Sequence, residues 1–156
     1  MKKTFRLFGI FALLLSVVTM MSSCKKDMSN LPGKWVATVA VIDDDDEDDL
    51  DDIWTFNTDG TCNIQCDLDE YFDNIQYDLV TFNGTYTTES NKKLTITSNK
   101  FNQAEGDYYE QIVYDLNILS LTKKTMMVSG TVKLSQYSGT GFVNKKEVNA
   151  TITLTK

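Results

Sequence analysis

The chain has 156 residues, with 15 lysines and arginines against 22 aspartates and glutamates, which gives a formal net charge of −7. It contains no histidine, and its single arginine is Arg6. The lack of histidine excludes Ser-His-Asp and Cys-His nucleophile sites and imidazole metal ligands. The acidic balance predicts no nucleic-acid partner, because phosphate binding requires a basic surface. We therefore expect a protein that is not an enzyme and holds no cofactor; paired carboxylates stay formally open, but no spacing singles out a pair.

The N-terminal segment has the layout of a secretory signal peptide. Two lysines and Arg6 precede an apolar run of 15 residues over 7–21, and a pair of serines adjoins Cys24. The sequence Met-Ser-Ser-Cys at 21–24 resembles the lipobox of bacterial lipoprotein signals, and this resemblance implies cleavage after residue 23 and lipidation of the Cys24 sulfur. An uncleaved transmembrane helix is the alternative, but a span requires about 20 apolar residues.

Cleavage would divide the chain into a signal peptide over 1–23, a lipidated tether over 24–32 and one domain over 33–156. It removes three cations and no acid, so the net charge of the mature chain becomes −10. Attached acyl chains hold a protein on a bilayer, since each buried CH₂ contributes about 0.8 kcal/mol. In similar Gram-negative lipoproteins an Asp after the lipidated Cys favours the inner membrane. Lys25 stands there, so we expect the outer membrane, with the leaflet left open.

The rest of the chain alternates polar and apolar residues, which is typical of half-buried strands. An Asp-Gly turn within 57–60 predicts a hairpin. The apolar phase slips to Leu119 and Leu121, which predicts a bulge near 118–119. A helical turn is the alternative to a loop over 69–75. The predicted strands cover residues 34–42, 53–56, 61–66, 80–88, 92–98, 108–121, 125–136 and 148–155.

Eight strands with short connections predict an all-β fold, an eight-stranded antiparallel up-and-down barrel whose closure removes exposed edges. Gly-Lys-Trp at 33–35 resembles the Gly-x-Trp motif of lipocalins. The order of Phe-Asn…Asp-Gly-Thr at 56–61, Gly-Thr-Tyr at 84–86 and Ala-Thr-Ile-Thr-Leu at 150–154 is similar to Gram-negative lipocalin-like lipoproteins. The resemblance implies a lipocalin-like barrel. In that family a late-strand Arg packs across the Trp, and the nearby cation here is Lys156.

Inward-facing aromatic side chains are the candidate ligand-binding residues. An eight-stranded barrel either fills with side chains or holds one small ligand, and inward aromatic residues are more often packed core. Small inward residues, such as Gly84 and Gly130, would leave room for a cavity. The candidates are Trp35, Trp54, Phe56, Phe82, Tyr86, Tyr114 and Met126.

Cys62 and Cys66 lie in one predicted strand. Their Cα atoms would be roughly 13 Å apart at the rise of an extended chain, and a disulfide requires less than about 7 Å. We therefore expect two free thiols that pack as small core residues.

Nine of the ten residues over 43–52 are acidic. Clustered carboxylates are the ligands that Ca²⁺ prefers, and Asp44, Asp46 and Asp48 are the candidate ligands. An EF-hand loop would require Gly and Glu where Asp48 and Trp54 stand. The run is more typical of a solvated, self-repelling loop, with a weak cation site as the alternative.

Two functions fit these features. The first is a lipid-anchored, lipocalin-like barrel that binds a small hydrophobic molecule at the cell envelope without chemistry. The second is a structural or interaction module that binds an envelope protein or polysaccharide through loops such as 43–52 and 67–77. In both cases the membrane is a partner through the N-terminal lipid, and the oligomeric state is open.

Overall fold

The computed structural model describes residues 26–43, 47–72, 79–102, 108–139 and 141–156, and it describes only the backbone of 47–49 and 108. The signal peptide and Cys24 therefore lie outside the described residues, as do Asp44, Asp46 and the side chain of Asp48. Of the predicted helical turn over 69–75, the described part is a turn in which the Phe72 N–H donates to the Leu68 carbonyl at 3.0 Å.

Within the described residues the alternating segments form nine strands and one 3₁₀ turn, Met28–Asn30. The predicted strands are confirmed to within a few residues at each end, with the exception of the last, which starts seven residues earlier. The strands are β1 Gly33–Ile42, β2 Glu47–Asp49, β3 Ile53–Phe56, β4 Thr61–Asp67, β5 Leu79–Glu89, β6 Lys93–Ser98, β7 Tyr108–Leu121, β8 Thr125–Ser138 and β9 Gly141–Thr155.

These strands close into the predicted eight-stranded antiparallel barrel. Both β2 and β3 pair with the same edge of β1 and form two parts of one barrel strand. Between β2 and β3 the Leu50 N–H donates to the backbone carbonyl of Thr38, and the Ala37 N–H donates to the backbone carbonyl of Asp52. The other edge of β1 pairs with β9. Every other strand pairs with its neighbours along the chain, so the fold is an up-and-down barrel.

Turn chemistry explains the confirmed hairpin between β3 and β4. The Asp59 carboxylate accepts from the Thr61 N–H at 2.9 Å, and the Asn57 N–H donates to the Thr61 carbonyl at 2.9 Å. Gly60 has φ +85°, a conformation that L side chains rarely adopt. The Asp-Gly pair thereby sets the register of the hairpin.

The predicted bulge in β7 is also confirmed, because the pairing with β8 shifts register between Ile118 and Ser120. The expectation that Leu119 and Leu121 face inward is correct for one of the two. Ile118 and Leu121 are buried, whereas Leu119 is 44% exposed. The extra residue of the bulge is Leu119 itself, and it faces outward.

One end of the barrel is closed by contacts between the two chain termini. The Trp35 indole N–H donates to the Leu31 carbonyl at 2.7 Å. The Lys156 ammonium lies 4.4 Å from the centre of the Trp35 ring and donates to the carbonyls of Asn30 and Pro32 at 2.6 and 2.8 Å. Lys156 therefore packs across the Trp35 ring. We call this the Trp35 end.

The opposite end carries a three-stranded extension formed by residues 109–113, 133–138 and 141–148. β1 covers β9 only from Ala150 to Thr155. Asn149 still exchanges hydrogen bonds with Asp43, and beyond it the described part of β9 pairs with β8. The prediction missed residues 141–147 because a register shift between Gln136 and Tyr137 interrupts the alternation.

The expected solvated loop over 43–52 is wrong in part. Glu47–Asp49 form β2 and pair with Val39–Val41 of β1. Asp52 is 2% exposed. The run lies beside a strand whose edge groups require partners, and backbone pairing outweighs the repulsion between neighbouring carboxylates.

Gly84 and Gly130 do not leave room for a cavity, contrary to expectation. A Cβ atom at Gly130 would lie 2.2 Å from the Asp115 carbonyl oxygen, and one at Gly84 would lie 2.3 Å from that of Thr97. Both glycines are required because the backbone of the neighbouring strand occupies the space of their side chains.

The variant Gly130→Ala should therefore lower the free energy of unfolding by about 2 kcal/mol, because backbone must move to admit the methyl group. Gly139→Ala is the matched control, since no described atom outside its chain neighbours lies within 4 Å of its added Cβ, and it should change stability by less than about 0.5 kcal/mol. Urea unfolding of both variants measures this. Equal stabilities would show that the close approach at Gly130 is not a constraint.

Candidate functional site

The structure brings most of the candidate ligand-binding residues into one packed aromatic cluster. The Tyr114 ring is its centre, with ring centroids 5.0 Å from Trp54, 6.3 Å from Tyr71 and 6.4 Å from Phe82. Phe56 contacts the Trp54 ring edge-on at 6.3 Å. Alternation on β3, β5 and β7 directs these rings inward, and aromatic pairs in such geometries contribute beyond their buried area.

The remaining candidates lie around this cluster. Trp35 is at the closed end under Lys156. Met126 is buried on β8. Tyr86 is half-buried, packs against Phe56 at 5.0 Å and donates its hydroxyl to the Asn57 carbonyl at 2.6 Å.

These side chains carry almost no accessible surface. Six of the seven candidates are 0 to 3% exposed, and Tyr86 is the exception. A side chain lining a void that admits water would carry accessible surface inside it. The midsection of the barrel is therefore filled by its own side chains, at the density of a protein core.

A buried acidic network, which the sequence analysis missed, adjoins the cluster. The Tyr71 hydroxyl donates to one oxygen of Asp52 at 2.6 Å, and the Trp54 indole N–H approaches the same oxygen at 3.5 Å. The Asp67 N–H donates to the other oxygen at 3.3 Å. The sequence pattern could have revealed this inward position. Asp52, Trp54 and Phe56 are two residues apart, and alternate residues of a strand face the same side.

Burial raises the pKa of Asp52 to about 6, although its hydrogen bonds with Tyr71 and Asp67 act in the opposite direction. A hydrogen bond with Asp69 and burial raise the pKa of Asp67 to about 6 as well. Through these hydrogen bonds the Asp52 carboxylate ties Tyr71 and Asp67 to the core.

Cys62 and Cys66 are free and buried, as expected. Burial raises the pKa of Cys62 to about 11 and that of Cys66 further still. Both thiols therefore stay protonated at neutral pH, and a thiol without thiolate character is a poor nucleophile and a poor metal ligand.

A second buried carboxylate lies towards the extension. Glu110 is 2% exposed, and its Oε1 accepts from the Gln136 amide at 2.8 Å. Its Oε2 has no hydrogen-bond partner in the described part of the chain. Phe101 stacks on Phe82 below it, with ring centroids 5.8 Å apart. We call this region the mouth of the barrel.

The outer face of the extension carries a row of aromatic side chains. Tyr109 pairs with Tyr137, and Tyr137 pairs with Phe142, so the three lie side by side across β7, β8 and β9. Tyr109 is 44% and Phe142 61% exposed. The Lys100 ammonium lies 4.6 Å from the Tyr137 ring centre. We call this row the aromatic platform.

The candidate metal ligands are not brought into a described site. The backbone of Asp48 pairs with Ala40 in β1, and Asp44 and Asp46 lie outside the described residues. Across the described ranges, no three His, Cys, Asp or Glu side chains are arranged to hold a metal ion. Nor does that part of the chain contain a helix long and apolar enough to cross a bilayer.

A surface depression of about 580 Å³ lies on the tether side of the molecule, lined by Lys26, Asp27, Met28, Ser29 and Asn91. None of the candidate ligand-binding residues is among these lining residues. The Lys26 ammonium next to it donates to the Ile118 carbonyl, so this part of the tether lies against the barrel wall.

Comparison with known proteins gives one structural similarity to report. No protein-family model matches the chain, and no curated protein matches it. The crystal structure of a lipocalin-like protein from Bacteroides uniformis ATCC 8492 is similar, with 16% sequence identity and a TM-score of 0.49. The alignment covers 81% of this chain and 98% of that chain. The barrel described above rests on the strand register of this chain itself.

The raised pKa of Asp52 predicts a pH dependence of stability. A folded pKa of about 6 against an ordinary value of 3.8 means that the folded state binds the proton more tightly. Stability from this group is therefore highest at acid pH and is lost as the pH rises from about 4 to 6, by about 2 kcal/mol.

Urea unfolding at several pH values should show this loss in the wild type and a flatter profile in Asp52→Asn. Asp51→Asn is the matched control, since its side chain is exposed, and it should keep the wild-type slope. Parallel profiles for wild type and Asp52→Asn would contradict the assignment.

Proposed function

We propose that the mature protein is a lipid-anchored binding module of the outer membrane, without catalytic activity, that recognises its partner on its outer surface. The filled interior carries this proposal. Trp54 and Tyr114, which occupy the middle of the barrel where a ligand would sit, are both 0% exposed. A closed eight-stranded barrel is a fold compatible with a small ligand, but its interior can equally be taken up by side chains.

The residue types of the chain support a binding role. It has no histidine, and the thiols of Cys62 and Cys66 are buried. The buried carboxylate of Asp52 is held by Tyr71 within the core. The most exposed apolar side chains among the described residues include Phe142 and Val143, at 61% and 52%. Exposed apolar side chains that cluster mark interaction sites.

The position of the tether supports the orientation of the module. The described chain begins at Lys26, two residues after Cys24, and Leu31 packs at the Trp35 end. β9 runs from the extension to the Trp35 end. A lipid on Cys24 would place the Trp35 end next to the membrane and the extension on the far side.

The anchor is tested by Cys24→Ala. This variant should lose incorporation of labelled palmitate and move from the membrane fraction to the soluble fraction, because acyl chains are the proposed attachment. Cys62→Ala is the matched control, since it removes a cysteine of the same chain and leaves the lipobox intact, and it should label normally. Palmitate incorporation into Cys24→Ala would refute the anchor.

A second candidate, binding of a small hydrophobic molecule, is favoured by the mouth of the barrel. Glu110 is buried there with one carboxylate oxygen that no described group satisfies. An unsatisfied buried oxygen is costly, and a ligand that donates a hydrogen bond would relieve that cost. Such a ligand would combine an apolar chain, to lie against Phe101, with an amine or another donor for Glu110.

Native mass spectrometry with decylamine and decanoic acid tests this second candidate. If the mouth is a ligand site, decylamine should bind and raise the melting temperature, and decanoic acid should not, because its carboxylate would face that of Glu110. Glu110→Gln should weaken the amine complex by about tenfold, since a charged hydrogen bond contributes about 1.5–3 kcal/mol. Equal binding of both probes, or of neither, would exclude the mouth as this kind of site.

A further inference from the structure

We infer that the aromatic platform, Tyr109, Tyr137 and Phe142, is a docking surface for an acidic polysaccharide of the cell envelope. This inference rests on the proposed surface-binding function and names the partner's chemistry. The three side chains are consecutive partners in the strand register. With neighbouring strands about 4.8 Å apart, the row is roughly 10 Å long.

The shape of the surface suits a sugar chain. The platform lies on the outer face of a sheet, and Tyr137 and Phe142 meet edge-on with ring centroids 5.8 Å apart. A pyranose ring presents a face of C–H bonds that carries slight positive charge, and it stacks on the negative face of an aromatic ring. Next to the row lie Ser135, whose hydroxyl is a hydrogen-bonding group for a sugar, and Gln111, whose amide nitrogen already donates to the Ser98 carbonyl at 3.0 Å and whose amide oxygen is an acceptor.

The charge of this face is opposite to that of the molecule. Lys133 and Lys145 lie on the same outer face, with Lys100 against Tyr137. Among the described residues, the acidic side chain next to these lysines on the outer face is Glu147, which forms ion pairs with both Lys133 and Lys145. The described side chains of this face thus carry three lysines against one glutamate, on a chain of net charge −7, and this excess of cations favours an anionic partner at this place.

The position of the platform favours a polymer over the membrane that holds the lipid. The platform is on the extension, and Lys156 with Trp35 marks the opposite end, next to the tether. Anionic headgroups attract basic residues only within about a Debye length of the surface. A lipid anchor at Cys24 would keep the extension further away than that. Acidic chains that rise from the surface would reach it.

Affinity electrophoresis in gels containing sodium polygalacturonate tests the inference. The chain is used as the cell produces it, in a non-ionic detergent, so the result does not depend on whether the anchor is confirmed. We expect retardation of the wild type that weakens with added salt. The double variant Tyr109→Ala with Phe142→Ala should bind about tenfold more weakly.

Leu119→Ala is the matched control, because Leu119 is 44% exposed like Tyr109 and lies on the same strand away from the extension. It should bind as the wild type does. Lys100→Gln with Lys145→Gln should weaken binding and reduce its salt dependence, which identifies the charge contribution. Melting temperatures within a few degrees of the wild type would show that each variant is folded.

Three results would overturn the inference. One is the lack of any retardation of the wild type in polygalacturonate. Another is equal retardation in neutral dextran, which would show that acidic groups are not recognised. The third is binding to phosphatidylglycerol vesicles in place of polygalacturonate, which would identify a lipid headgroup as the partner. Release of Cys24→Ala from the membrane is measured separately, so failure of the anchor and failure of the platform are distinguishable.

Discussion

The pairing of β1 with β9 is the contact on which the other features of the structure depend. It joins Val36 to Thr155 and Ile42 to Ala150, and so brings the two ends of the domain together. Without it the sheet would be open, with unpaired edges on both sides. The Lys156 ammonium strengthens this closure because it binds two carbonyls of the tether and the Trp35 ring at once. The closed barrel then defines an inside, in which the aromatic cluster packs.

The two ends of the barrel differ in how completely their groups are satisfied. At the Trp35 end the indole N–H and the ammonium both have acceptors. At the other end Glu110 has an oxygen that no described group satisfies, and Phe142 is largely exposed. Natural chains depart from complete packing and pairing mainly where function requires it. This difference between the ends is consistent with the proposed function, in which the extension binds the partner and the Trp35 end holds the barrel closed.

The sequence predicts the barrel well because its strands alternate with period two and are joined by short turns. The hairpin at 57–60 and the bulge near Ile118 followed from local patterns alone. The extension did not, since the register shift at Gln136 and the charged residues of β9 remove the alternation. The pairing of Glu47–Asp49 with β1 was not predicted either. A run of acidic residues indicates that its side chains are solvated, but it does not indicate whether its backbone pairs with a strand.

The candidate site was likewise predictable where it depends on local sequence patterns and not where it depends on contacts between distant strands. The alternation of inward and outward residues predicted which side chains face inward, and the structure confirms that five of the six aromatic candidates, and Met126, are buried. The alternation does not indicate whether an inward ring packs against other side chains or lines a void. That outcome depends on contacts between strands that are distant in the chain. The platform was missed because Tyr109, Tyr137 and Phe142 become neighbours only through the register of three strands.

The order of the strands also has a consequence for how the chain folds. Neighbouring hairpins form between segments close in sequence, whereas the pairing of Val36 with Thr155 spans nearly the whole domain. Contacts of such long sequence separation form slowly, because the loop between them must first lose its conformational freedom. The barrel cannot close until β9, which follows the other described strands in chain order, has been synthesised. Until then the free edges of β1 and β8 are exposed, and this is the interval in which the chain is most prone to aggregate.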